Sequence, residues 1–253
     1  MATQVTMFVQ AVDGGAALAM AMLVAAIAAR SAAGFGRDRG GSVGVAVIFL
    51  SVGFGASTAI SAVGGFGAAA GKFAIVLLAL SLVVPLAVGV TLTLASSSVR
   101  RLISQPDIQP NVVAVHALRF IEGSVFVAMV PLGVLPAIFA LPAGLGDVLV
   151  GLGALAAVRW ISSGRRGRVI WWNLFGLLDL ANATVLGLMT VPGPLHLLQT
   201  SPTSALLLAS PLTIIPTFCV PIFVLLHLIS LRYLIASRRV ARLSQAMPLE
   251  VAS

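Results

Sequence analysis

The sequence predicts an all-α membrane protein, a bundle of seven transmembrane helices with its N-terminus outside and its C-terminus cytoplasmic. Three observations carry this. Hydrophobic residues make up 59% of the 253-residue chain and charged residues only 9%, whereas soluble domains carry about 25% charged residues. The apolar stretches are continuous rather than alternating, which excludes a transmembrane barrel and leaves helices to satisfy the backbone in lipid. The arginines fall between apolar spans in a pattern that places one sign of loop on one side. The pI near 11.6 therefore reflects membrane topology, and no nucleic-acid partner is expected.

The first span is Ala16–Ala29, followed by Arg30, Arg37 and Arg39. Positive charge after the apolar run, rather than before it, argues for a retained helix and against a cleaved signal, although Ala26-Ile27-Ala28 resembles a cleavage site. The second span, about Val43–Val63, is rich in small residues. Its pairs Ser51/Gly55 and Ser57/Ser61 have the small-xxx-small spacing that lets helix backbones approach. Lys72, the only lysine, opens the third span, Phe73–Ala95, and Arg100 and Arg101 follow it. Ser96–Asn111, with Pro106 and Pro110, reads as a hydrophilic linker. It divides the single transmembrane domain (1–253) into a three-helix half, 16–95, and a four-helix half, 112–235, with a basic tail over 236–253.

The fourth span, Val112–Val130, is apolar but carries His116, Arg119 and Glu122 on one face. Pro131, Pro136 and Pro142 then predict a helix end and a short hairpin leading to Asp147, which would cap the fifth span, Leu145–Arg159, or form an outer site. Trp160, Arg165, Arg166, Arg168, Trp171 and Trp172 read as a basic loop flanked by interfacial indoles. The sixth span, Val169–Met189, repeats Asn173, Gly176, Asp179 and Asn182 at intervals of three. Val191–Ser210, containing His196, is a Pro-rich external stretch. The seventh span, about Pro211–Ile235, holds Pro216, Cys219, Pro221 and His227, and Arg238, Arg239 and Arg242 follow. A lone cysteine permits no intrachain disulfide.

At about 1.5 Å per residue, Arg119, Glu122, Asp179 and His227 come to similar depths on three helices. Ionisable groups inside a membrane mark ion or proton pathways, or else glue helices together. Arg119, Glu122, Asp179, His227, Asn173 and Asn182 are therefore the candidate pathway or binding residues of a small proton- or ion-coupled transporter. The alternatives are a non-catalytic scaffold or complex subunit with a structural polar layer, and a haem protein ligated by His116 and His227. His116, nearer the helix end, is expected at the cytoplasmic interface. His196 lies on the far side, so the histidines do not combine into a metal site. No hydrolase, zincin or P-loop pattern occurs, no enzyme activity is indicated, and no cofactor is specified. Expected partners are the lipid bilayer, a small solute or ion, and a second copy or partner subunit. The expected location is the inner cell membrane, as a multi-pass protein.

The runs L-R-F-I-E-G, L-P-A-I-F-A-L-P-A-G-L-G-D, N-L-F-G-L-L-D-L and I-P-T-F-C-V-P-I-F-V-L-L-H-L-I-S-L resemble those of a family of small bacterial multi-pass membrane proteins with no assigned activity. The resemblance spans residues 112–235. It rests on Arg119, Gly123, Pro136, Gly146, Asp147, Asn173, Gly176, Asp179, Pro216, Pro221 and His227. It implies that the C-terminal four helices are the functional half.

Overall fold

A computed structural model describes residues 2–36, 39–67 and 72–246, with side chains at 11, 12, 14–36, 40–67 and 73–236. Arg37 and the side chains of Arg39, Lys72, Arg238, Arg239 and Arg242 lie outside the described residues. Nine helices occur among the described residues: α1 (Ala2–Ser31), α2 (Arg39–Ala62), α3 (Lys72–Ala95), α4 (Ser97–Ile103), α5 (Ile108–Val115), α6 (Arg119–Met129), α7 (Ala137–Ser162), α8 (Arg166–Thr190) and α9 (Val220–Ala246). Seven helical segments are long and apolar enough to cross a membrane. The molecule is a multi-pass helical membrane protein.

Several boundaries differ from the sequence reading. The linker 96–111 is largely helical: Ser96 accepts a hydrogen bond from the Val99 amide at 3.3 Å and caps α4. The fourth crossing segment begins at Ile108 rather than Val112. Pro110 sits in the first turn of α5, where a missing N–H removes no internal hydrogen bond. The larger correction concerns Asp147. The helix end stands where the prolines place it, with a turn over 130–136 that holds Pro131 and Pro136, but no hairpin lies between that turn and Asp147, because α7 starts at Ala137 and runs through Pro142 without a break. Pro142 removes one backbone bond near the helix start, and the rest of the ladder continues past it. Asp147 is thus a mid-helix residue, too far from the N-terminus to cap it.

The fourth crossing is composite. A 3-10 turn, His116–Leu118, joins α5 to α6, and a π turn, Ile215–Cys219, precedes α9. Such departures from α-helical bonding recur at functional sites. Pro216 lies in the π turn and Pro221 in the first turn of α9.

The core sits in the C-terminal half. Half of each of the fourth and fifth crossing segments and 56% of the seventh are buried, against 11% of the second and third. The outward faces of α2, α3 and α8 present Ile48, Val52, Phe73 and Leu178, apolar surface of the kind that contacts lipid. On α2, Ser57 and Ser61 do meet another element: Ser57 hydrogen-bonds Thr217, and Ser61 Oγ lies 2.5 Å from Thr213 Oγ1. Ser51 and Gly55 are exposed, and among the described residues a Cβ added at Gly55 would meet nothing within 4 Å. Their spacing does not mark a contact within the chain.

Candidate functional site

Glycines let α6, α7 and α8 come together. A Cβ on Gly123 would stand 2.7 Å from the Asp147 Cβ, and one on Gly144 would stand 2.7 Å from the Gly123 carbonyl oxygen. Bare backbone on both helices is what permits this crossing. Gly146 faces the Asp179 carboxyl, and Gly176 faces the His227 ring, each closely enough that a Cβ would overlap its neighbour.

Into this junction projects Arg119, the first residue of α6, with none of its surface exposed. Its Nε donates to Asp147 Oδ1 at 2.6 Å, and its Nη2 donates to Asp179 Oδ2. Nη1 donates to the Gly176 carbonyl at 3.4 Å and to His227 Nε2 at 3.3 Å. The flat, forked guanidinium suits this task, since it spreads five N–H donors over a rigid plane to meet four acceptors, whereas an ammonium offers three from a single point. Its Cζ also lies 5.6 Å from the centre of the Phe223 ring.

A neutral polar chain continues from there. Because Nε2 of His227 accepts from Arg119, Nδ1 carries the proton and donates to Asn173 Oδ1 at 2.9 Å. Asn173 Nδ2 donates to the Val169 carbonyl at 2.8 Å and to Ser230 Oγ at 2.9 Å. Gln109 Nε2 reaches the same hydroxyl at 3.0 Å. Five segments of the C-terminal half thereby meet in one connected network, α5 through Gln109 and α9 through His227 and Ser230.

Several placements differ from those the sequence predicts. Asp147, expected at the outer surface, is an ion partner of Arg119. Asn182 is exposed and outside the network: steps of three on a helix of 3.6 residues per turn drift about 60° each, so by Asn182 the face has turned about half-way round. His116 is fully buried rather than interfacial. It stacks on His227 with ring centroids 3.9 Å apart and meets the Trp172 ring edge-on at 5.2 Å. Neither of its ring nitrogens has a hydrogen-bond partner among the described residues. Trp172 is likewise a core residue, its Nε1 donating to the Val150 carbonyl at 3.2 Å. Trp171 remains 74% exposed, as an interfacial indole should be. Stacked imidazoles in contact leave no space for a macrocycle between them, so the geometry does not fit haem held by His116 and His227.

Glu122 is 3% exposed and lines, with Asp147, a cavity of about 210 Å³. The cavity extends from the ionic centre along α8, past Thr184 and Leu188, to Val191 and Leu207. Ile75, Leu78 and Leu82 of α3 form one of its walls. Its lining is aliphatic and aromatic apart from Thr184 and the two carboxyls.

A family model described as a domain of unknown function, DUF8737, matches residues 75–235. The chain belongs to this family. Comparison with curated proteins and with solved structures returned no match. The family match starts within α3, earlier than the resemblance read from the sequence at 112–235, and so takes in the α3 residues that wall the cavity.

Proposed function

We propose that the protein is a small proton- or cation-coupled transporter of the inner cell membrane, with the carboxyls around Arg119 as its coupling groups. The observation that carries this is the imbalance of the centre. One guanidinium bridges two aspartates, and Glu122 and Asp147 face a cavity. An inert ion pair needs one acid for one base. Two aspartates on one guanidinium leave one negative charge at membrane depth that a proton or a cation would balance, and residues of this kind mark proton and ion pathways. The broken helices beside the centre, at His116–Leu118 and Ile215–Cys219, fit the same reading. The arginines after the first, third, fifth and seventh spans support a cytoplasmic C-terminus and an external N-terminus.

The test is proton movement in proteoliposomes holding an internal pH dye, driven by a valinomycin-clamped potassium diffusion potential. Wild-type vesicles should change pH faster than protein-free ones, and Glu122→Gln and Asp179→Asn should bring the rate back towards that background. Wild-type rates in both variants would overturn the proposal. A second reading, a structural scaffold or complex subunit, is favoured by the way Arg119 ties α6, α7 and α8 together. It predicts that these two variants lower thermal stability while pH traces of wild-type vesicles match those of empty ones.

A further inference from the structure

The cavity beside the ionic centre has one polar feature that the ion pairs leave unused. Asp147 is only 6% exposed and lines the cavity. Its Oδ1 accepts from Arg119 at 2.6 Å, so its charge is already met by a cation. Its Oδ2 accepts from no group among the described residues, and a carboxyl has room for further donors after one is satisfied. Thr184, the polar lining residue other than the carboxyls, does not supply one, since its hydroxyl donates to the Leu180 carbonyl at 2.8 Å. The rest of the wall is apolar and includes Phe126 and Phe139, their rings 5.4 Å apart.

A second cavity, of about 130 Å³, continues the first. The two share Ile75, Leu78, Leu188 and Leu195, and the second reaches Phe66 and the loop at 192–194. No charged residue lines this extension. A solute that reaches Asp147 along it gives up its water among apolar side chains, which is costly for a charge.

These features define the occupant. A cation would lie beside Arg119 and be repelled by it, and an anion would meet the carboxyl. A hydrocarbon would fill the apolar part but leave Oδ2 buried without a donor. A molecule with several polar groups would strand them on the aliphatic wall. A neutral molecule with one O–H on a compact apolar body meets every requirement. Its hydroxyl donates to Oδ2 in a charge-assisted bond, and its body packs against the phenylalanine rings. Volume agrees, since the cavity measures about 210 Å³ and about 150 Å³ is enough to hold benzene.

We infer that this cavity binds a small neutral alcohol of phenol size, its hydroxyl on Asp147 Oδ2, admitted past the 192–194 loop. That the molecule binds is independent of transport; that it is the transported solute rests on the transporter reading.

Fluorine NMR of the purified full chain in detergent tests the binding with 4-fluorophenol and 4-fluorotoluene, which differ by a hydroxyl in place of a methyl. The phenol is neutral at pH 7, as the tyrosine side chain is. With partition into protein-free micelles subtracted, 4-fluorophenol should bind at least about tenfold more tightly, the usual worth of a hydrogen bond to a charged acceptor. Ala183→Trp fills the cavity from α8 and should abolish binding of both compounds; Leu188→Trp takes its place if that variant does not fold. Equal affinities of the two compounds overturn the inference, since the cavity would then be indifferent to the donor. Binding of neither compound, or undiminished binding in a folded cavity-filling variant, overturns it too. The transporter reading is untouched by these outcomes and stands or falls on proton movement in the vesicles.

Discussion

Arg119 is fully buried where α6, α7 and α8 meet. Its fork addresses Asp147, Asp179, the Gly176 carbonyl and His227 together. Removing the guanidinium leaves buried carboxylates without their cation, a loss typically about 3–5 kcal/mol for a broken buried pair. Arg119→Gln should therefore melt well below wild type in detergent, and adding Asp147→Asn to it should restore part of the loss. Equal melting temperatures for wild type and Arg119→Gln would contradict this. Arg119, Asp179, His227 and Asn173 were legible in the sequence because polar groups stand out in apolar spans. Asp147 was not, because three prolines ahead of it suggested a chain reversal reaching as far as Asp147, whereas the turn ends at Pro136 and the helix tolerates Pro142. Asn182 was included for the opposite reason, since spacing by three looks like a face over short distances and turns off it over longer ones.

At the scale of elements, glycine decides which helices can meet. Positions 123 and 144 bring α6 against α7, and position 146 opens room for the Asp179 carboxyl arriving from α8. None of these announces itself in a chain with 25 glycines, because a close approach depends on the partner surface. Gly146→Ala forces its methyl into that carboxyl and should destabilise by about 1–3 kcal/mol, the usual range for overpacking. Gly55→Ala is the matched control: among the described residues its added Cβ would meet nothing within 4 Å, so relief of backbone entropy should make it neutral or stabilising by about 0.5–1 kcal/mol. Denaturation midpoints in the same detergent compare the two directly, and equal effects would mean that the crossing is looser than these contacts indicate. The π turn before α9 belongs at this scale too. Pro216 falls within the disturbance there and Pro221 just beyond it, whereas the pairing of Thr213 and Thr217 with Ser61 and Ser57 depends on α2 being the neighbour, which the sequence of the seventh span does not reveal.

For the molecule as a whole, the number of crossings and the gathering of buried ionisable residues in the C-terminal half were legible, since both follow from hydropathy and from where ionisable residues fall. The cavity was not. It exists because α3, lightly buried, closes over a space left between α6, α8 and the π turn, and such a space is a property of packing rather than of any one segment. It gives the ionic centre a way to be more than glue: Arg119 and its aspartates join the helices, while Glu122 and Asp147 look into a space of about 210 Å³. The central claim is that these carboxyls exchange protons. The chain has only seven Asp and Glu side chains, three of them in this centre, so infrared difference spectra between acidic and neutral pH can be assigned by single substitutions. The account predicts a carboxylic C=O band in the wild-type difference spectrum that Glu122→Gln or Asp147→Asn removes. A spectrum left unchanged by Glu122→Gln, Asp147→Asn and Asp179→Asn alike would contradict it.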